Sequence, residues 1–204
     1  MARRPAADKP ESRTSSTKKA TAAESGSRRV TWLMLVYRVP SEPTRHRAAV
    51  WRRLRTMGAV YLQNSVAVVP KSNERERTLR TLRNEIVEKM DGKAYLLTSS
   101  ALAGESDLIA TINAARDDEY EEILDKCEDF HAEVDKEFAK KHFTYGELEE
   151  NEEDLHKLQR WFTKVVARDA LGASKRQEVE QALVGCADAL EKFAAEVYAA
   201  DTNS

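Results

Sequence analysis

Cysteine, proline, glycine and long hydrophobic runs are all scarce in this 204-residue chain, and each shortage excludes something. The two cysteines, Cys127 and Cys186, lie far apart and give no disulfide framework of the kind that staples small secreted domains. Two buried thiols in a reducing cytoplasm are expected instead. All five prolines fall within the first 70 residues, so nothing downstream interrupts long helices. The longest largely apolar run, "VTWLMLVY" at 30–37, is far short of the roughly 20 residues that span a bilayer. The basic start, "MARRPAADKP", has no apolar stretch behind it and is not read as a secretory signal. Motifs of catalysis are missing too: no glycine-rich phosphate loop, no G-x-S-x-G and no H-E-x-x-H, so no enzyme is expected.

Net charge is also nearly absent, at −2, but that figure hides a segregation. Residues 1–29 carry eight basic and three acidic side chains, residues 30–103 carry thirteen and six, and residues 104–204 carry twelve and twenty-six. One part is suited to an anionic partner while another keeps the molecule soluble.

Residues 1–28 offer almost no large apolar side chain and are expected to be a disordered basic tail. "VTWLMLVYRV" (30–39) reads as a strand covered on both faces, hence central in a sheet. "SEP" then predicts a helix with Ser41 as N-cap, ending at Gly58, its buried stripe formed by the Arg47 stem, Val50, Trp51, Leu54 and Met57. Two short β-rich runs, 59–62 and 65–69, meet at the turn signal "QNS". A second helix follows, capped by Ser72 or Asn73, with Leu79, Leu82, Ile86 and Met90 as its stripe and Gly92 as its stop. "KAYLLTSS" (93–100) is the last strand. The order βαββαβ is that of a ferredoxin-like domain over 29–103, with helices on one face of an antiparallel sheet.

From Gly104 onward three long apolar stripes alternate steps of three and four, over about 105–141, 146–169 and 174–199. Gly146 and Gly172 mark the turns. The fold class is therefore α+β: a ferredoxin-like domain followed, over 104–200, by an antiparallel three-helix bundle.

The densest chemistry is "YRVPSEPTRHRAAVWRRLR" (37–55), with six arginines. Around the predicted helix, Arg45, Arg52 and Arg55 fall on one side, away from the apolar stripe, and Arg53 and His46 on the other flank. Arg38 ends the first strand, near the start of that helix. Guanidinium forks match phosphate oxygens two at a time, so Arg38, Arg45, Arg52, Arg53 and Arg55 are candidate contacts for nucleic acid or another anion. The competing reading docks this face on the acidic C-terminal half. Arg75, Arg77, Arg80 and Arg83 are interleaved with Glu74, Glu76 and Glu85 and read as locally ion-paired.

Metal chemistry is thin. Cys127 and His131 lie on an apolar stripe, His142 and His156 are isolated, and neither a metal nor a cofactor is expected. "ARDDEYEE" (115–122), a carboxylate cluster near the domain junction, reads as a helix surface rather than a metal-dependent nuclease site.

"WLMLVYRVPSEPTRHRAAVWRRLRTMGAVYLQNSVAVVP" (32–70) resembles the N-terminal domain of ChrB, the chromate resistance regulatory protein of bacteria, as do "NAARDDEYEEIL" (113–124) and "FTYGELEENEEDLHKLQRWF" (143–162). The resemblance runs from about residue 30 to 200. It implies a bacterial cytoplasmic protein that regulates, or assists in regulating, a chromate efflux gene by binding DNA. The chain is read as a short form lacking the further C-terminal domain of the long members, so activities seated there are expected on another chain. The first domain is also similar in pattern to the ferredoxin-like part of the phenylacetate-pathway repressors and of the small CRISPR adaptation nuclease. That nuclease carries an aspartate at the end of its first strand, where "VYRVP" here has Arg38, so nuclease activity is not expected. The alternatives are a protein-interaction module, or a sensor of a small oxyanion such as chromate or sulfate, without DNA binding. A homodimer or a partner protein is expected to engage the helical bundle, and no membrane is expected.

Overall fold

The computed structural model describes residues 29–202, and the basic tail expected over residues 1–28 lies outside them. Four strands, β1 (Trp32–Arg38), β2 (Val60–Gln63), β3 (Val66–Pro70) and β4 (Lys93–Ser99), are interrupted by α1 (Thr44–Thr56) and α2 (Asn73–Lys89). Three further helices follow: α3 (Glu105–Lys140), α4 (Tyr145–Arg168) and α5 (Arg176–Thr202). The fold is α+β, with one antiparallel sheet in the order β2-β3-β1-β4.

The expected central strand is central: β1 pairs with β3 on one side and β4 on the other. Its side chains alternate. Leu33 and Leu35 enter a core with Val50 and Leu54 of α1 and Leu79, Leu82 and Ile86 of α2. Trp32 points to the opposite face, among Val60, Val68 and Ile112. α1 and α2 thus share one face, as the βαββαβ reading expected. Leu108, Ile109, Ile112 and Ala115 in the first turns of α3 cover the other face at the Trp32 end. Farther along that face, Tyr95 and Leu97 of β4 remain exposed.

Two helix starts show what sets a cap. At α2, Ser72 accepts a hydrogen bond from the Arg75 N–H at 3.1 Å, as expected. At α1 the expected Ser41 cap is displaced, because the N-cap position belongs to Pro43, in extended conformation and without a side-chain cap bond. A residue before proline is pushed out of the helical region, so Glu42 cannot be helical and the first turn waits until Thr44. Gly58 ends α1 as expected, with φ +77°.

Trp51 and the Arg47 stem were expected in the buried stripe of α1. Only Val50 and Leu54 are fully buried there; Trp51 is 47 % exposed and Arg47 is exposed. At the end of α2 the left-handed residue is Asp91, and Gly92 serves for space: a Cβ there would lie 2.6 Å from the Arg38 carbonyl oxygen and 2.7 Å from Ile86 Cγ2.

α3, α4 and α5 each pack on the other two. Tyr120, Ile123, Cys127, Phe130 and Val134 meet Leu148, Leu155, Leu158 and Val165, and also Val179, Leu183, Cys186, Phe193 and Val197. Gly146, expected as a turn breaker, lies inside the first turn of α4. The turn is made by Lys141 in the left-handed region and by Thr144, whose side chain accepts from the Glu147 N–H. Gly172, at φ +78°, turns as expected.

Candidate functional site

α1 exists because Val50, Leu54 and half-buried Met57 give it one apolar edge to lay on the sheet. Everything else on the helix is left to solvent or to its two neighbours. Arg45, Arg52, Arg53 and Arg55 are all exposed. Arg53 Nη1 pairs with Glu85 Oε2 of α2 at 2.6 Å. Arg55 lies over the Trp51 ring, its guanidinium carbon 5.3 Å from the centroid. Among the described residues no ion pair involves Arg45, Arg52 or Arg55, and none joins α1 to the acidic α3–α5 segment.

The ion pairs of the acidic segment lie within it instead. Lys126–Asp129, Lys136–Glu133, Lys157–Asp154 and Arg176–Glu180 pair within single helices, and Lys175, in the turn before α5, pairs with Glu121 of α3. The acidic half is adjacent to the basic domain but does not cover its arginine face.

Arg52 and Arg53 line a groove of about 510 Å³ between α1 and α2, together with Thr56, Met57, Arg77, Thr78 and Thr81. Arg77 was expected to be neutralised locally, yet among the described residues it makes no ion pair. Of that set only Arg80 is paired as expected, with Glu76 at 2.6 Å. Arg83 donates to the Ala94 carbonyl, and Arg75 to the carbonyls of Ala167 and Arg168. Lys71 also binds Glu76, and the two cations hold its carboxyl below the ordinary carboxylate range.

Arg38 does not join this group. Tyr37 packs with Leu35 on the helix-covered side, so strand alternation puts Arg38 on the opposite face of the sheet. The parity of residues 33 to 38 carried that information.

The carboxylate cluster of residues 115–122 is absorbed by the fold. Asp117 accepts from the Ser174 hydroxyl and the Lys175 N–H, at 2.9 and 2.8 Å, at the entry to α5. Glu119 receives Arg116 at 3.2 Å and Arg168 at 2.5 Å. Burial lowers the pKa of Arg116, and the neighbouring Glu119 charge opposes that shift. The Tyr120 hydroxyl donates to Asp169, and burial followed by that carboxylate pushes its pKa up. Gly58 at the end of α1 packs against Arg168 and Arg116, so this network is the joint between the sheet domain and the helices.

Cys127 and Cys186 are free and buried, as expected. His142 is not isolated, which corrects the sequence reading. Its Nδ1 lies 2.8 Å from Glu137 Oε2 and 3.5 Å from Glu147 Oε1, and the ligand atoms of the three residues lie within 4.8 Å of one another. These three could hold a metal ion. Lys140 already pairs with Glu137 at 2.8 Å, so the group also has a purely structural account as the clasp of the α3–α4 turn. Sequence spacing did not reveal it, because the turn that folds Glu147 back over Glu137 depends on a non-glycine left-handed residue, Lys141.

A family model described as "Protein ChrB, N-terminal" matches residues 47–204. The match begins within α1, so it includes Arg52, Arg53 and Arg55 and leaves out Arg38 and Arg45. No curated protein matches the chain.

Proposed function

The chain belongs to the ChrB N-terminal family, and from that premise we propose that it is a DNA-binding regulatory or accessory protein of chromate resistance. Family membership makes it a chromate-resistance-related protein; DNA contact is our reading of α1. The observation that carries it is the set Arg45, Arg52 and Arg55, exposed and without an ion pair among the described residues, beside an acidic half that leaves them open. Unpaired guanidinium groups on one exposed helix face suit phosphate oxygens. Arg52 and Arg77 extend the same positive surface into the groove toward α2, whereas Arg53 there is paired with Glu85.

We read residues 29–103 as a ferredoxin-like domain and 104–200 as an antiparallel three-helix bundle. The element order, the sheet order β2-β3-β1-β4 and the shared core of α3, α4 and α5 support this. The bundle would supply contact to a second copy or to a partner protein. No helix among the described residues is long and apolar enough to cross a membrane, in keeping with a cytoplasmic place of action. We assign no reaction to the chain.

The test is duplex DNA binding at low salt, by fluorescence anisotropy, for wild type and for the triple variant Arg45→Ala, Arg52→Ala, Arg55→Ala. Wild type should bind and the variant should bind at least ten-fold more weakly. No binding by wild type, or equal binding by both, removes the proposal. A second reading is favoured by the same free guanidiniums: a small oxyanion, chromate or sulfate, held on α1. Calorimetric titration with both anions separates it, since a dedicated sensor must prefer one of them.

A further inference from the structure

On the flank of α1 away from α2 lies a basin of about 600 Å³, walled by Tyr37, Val39, Arg47, Trp51, Tyr61 and the Asn64–Ser65 turn. Four parts of the fold meet there: the end of β1, the edge strand β2, the β2–β3 turn and the middle of α1. The turn is pinned to β1, because the Tyr37 N–H donates to the Ser65 carbonyl at 2.9 Å. Ser65 itself sits in the left-handed region, at φ +68°. The two tyrosines are joined at their hydroxyls, 3.0 Å apart.

Three aromatic side chains thus converge on one concave site whose remaining groups are polar. A single exposed aromatic needs no explanation. Three in one basin, with a guanidinium beside them, present stacking faces and an anion contact together. Arg47 makes only a long 3.4 Å contact to the Ser41 carbonyl and has no ion pair among the described residues. Arg55 is held at the same flank by its stacking on Trp51. Asn64 adds an amide that can both donate and accept.

We propose that this basin takes one nucleotide unit, with the base stacked on Trp51 or the tyrosines and its phosphate met by Arg47. The inference rests on the nucleic-acid reading of α1 and adds to it an unpaired base. Stacking on exposed aromatics beside basic groups is how sequence-tolerant binding of unpaired strands is built. The unit could come from a free nucleotide or from an unpaired base in a strand.

The test is calorimetric titration of the full chain with four ligands: a ten-nucleotide deoxyadenylate strand, its duplex with deoxythymidylate, dAMP and inorganic phosphate. Wild type should bind the single strand more tightly than the duplex, and dAMP more tightly than phosphate. Trp51→Ala and Tyr61→Ala should each weaken single-strand binding at least five-fold, as loss of base stacking does. Trp51→Phe, which keeps a ring, should retain most of it and guards against a folding artefact in the alanine variants. Arg47→Ala should weaken the strand and dAMP alike. Binding of dAMP without binding of the strand would keep the site but make its source a free nucleotide. If phosphate binds as well as dAMP, or Trp51→Ala leaves strand binding unchanged, the inference is overturned. Duplex binding that Arg45→Ala, Arg52→Ala, Arg55→Ala abolishes, together with single-strand binding that Trp51→Ala spares, would overturn it while leaving the reading of α1 intact.

Discussion

Replacing Glu119 by alanine should be among the most damaging single substitutions at a charged position of this protein. Glu119 is the only carboxylate paired with Arg116 among the described ion pairs, and Arg116 is 4 % exposed. It also receives Arg168, from the last turn of α4. Removing it leaves two guanidiniums facing each other, one of them sealed from water, with Arg116 Nε already without a hydrogen-bond partner. Breaking a buried pair from one side costs about 3–5 kcal/mol. Arg168 is partly exposed and can rehydrate, so the lower end, about 3 kcal/mol, is the better figure. For a chain of this size each kcal/mol moves Tm by about 2–4 °C, giving a fall of about 6–12 °C. The comparison is Asp129→Ala, which breaks the exposed Lys126–Asp129 pair and should cost less than about 1 kcal/mol. Glu119→Gln keeps an acceptor without the charge and should fall between. Thermal unfolding followed by circular dichroism reads all three. Equal Tm for Glu119→Ala and Asp129→Ala would refute the reasoning, because it would mean the joint is solvated.

Ser72→Ala removes the cap of α2 and should cost about 1 kcal/mol in urea unfolding, whereas Ser41→Ala should cost almost nothing, since Ser41 caps no helix. Gly92→Ala places a Cβ against the Arg38 carbonyl and Ile86, so it should destabilise by about 1–3 kcal/mol, the range for overpacking; a neutral result would show that the β4 entry can shift. Lys140 and His142 hold the Glu137 carboxyl below the ordinary carboxylate range. Its contribution is therefore complete above the unfolded value, about 4.3, and lost as pH falls through the lower folded one. Unfolding of Glu137→Gln across pH 6 to 2.5 should show a shallower acid loss than wild type, and parallel curves would count against the clasp.

Features that depend on local chemistry were legible in the sequence. The apolar run of β1, a cap at Ser72 or Asn73 and the Gly58 stop need only the neighbouring residues, and each appears where it was expected, the cap at Ser72. Features decided by distant contacts were not. Trp51 has core chemistry and stripe spacing, yet it sits over the β2 flank, where the sheet ends and leaves the ring half open. β1 was read as covered on both faces, but the spacing in the helix read over about 105–141 did not tell that its first turns, at Ile112, supply the second cover. The Gly146 turn was placed too late because Lys141 takes a left-handed conformation without being glycine. Of the arginines, Arg45, Arg52 and Arg55 share an exposed helix face as the wheel implied, Arg53 is spent on Glu85, and Arg38 is set apart by strand parity.

The openness of the α1 face to an outside anion is tested most directly by the salt dependence of duplex DNA binding. Each phosphate contact contributes about 0.9 to the slope of log Kobs against log salt. Wild type should show a steep negative slope, and the variant Arg45→Ala, Arg52→Ala, Arg55→Ala should flatten it by about 2.7. A slope unchanged by the three substitutions would contradict phosphate contact by α1, whatever the affinity.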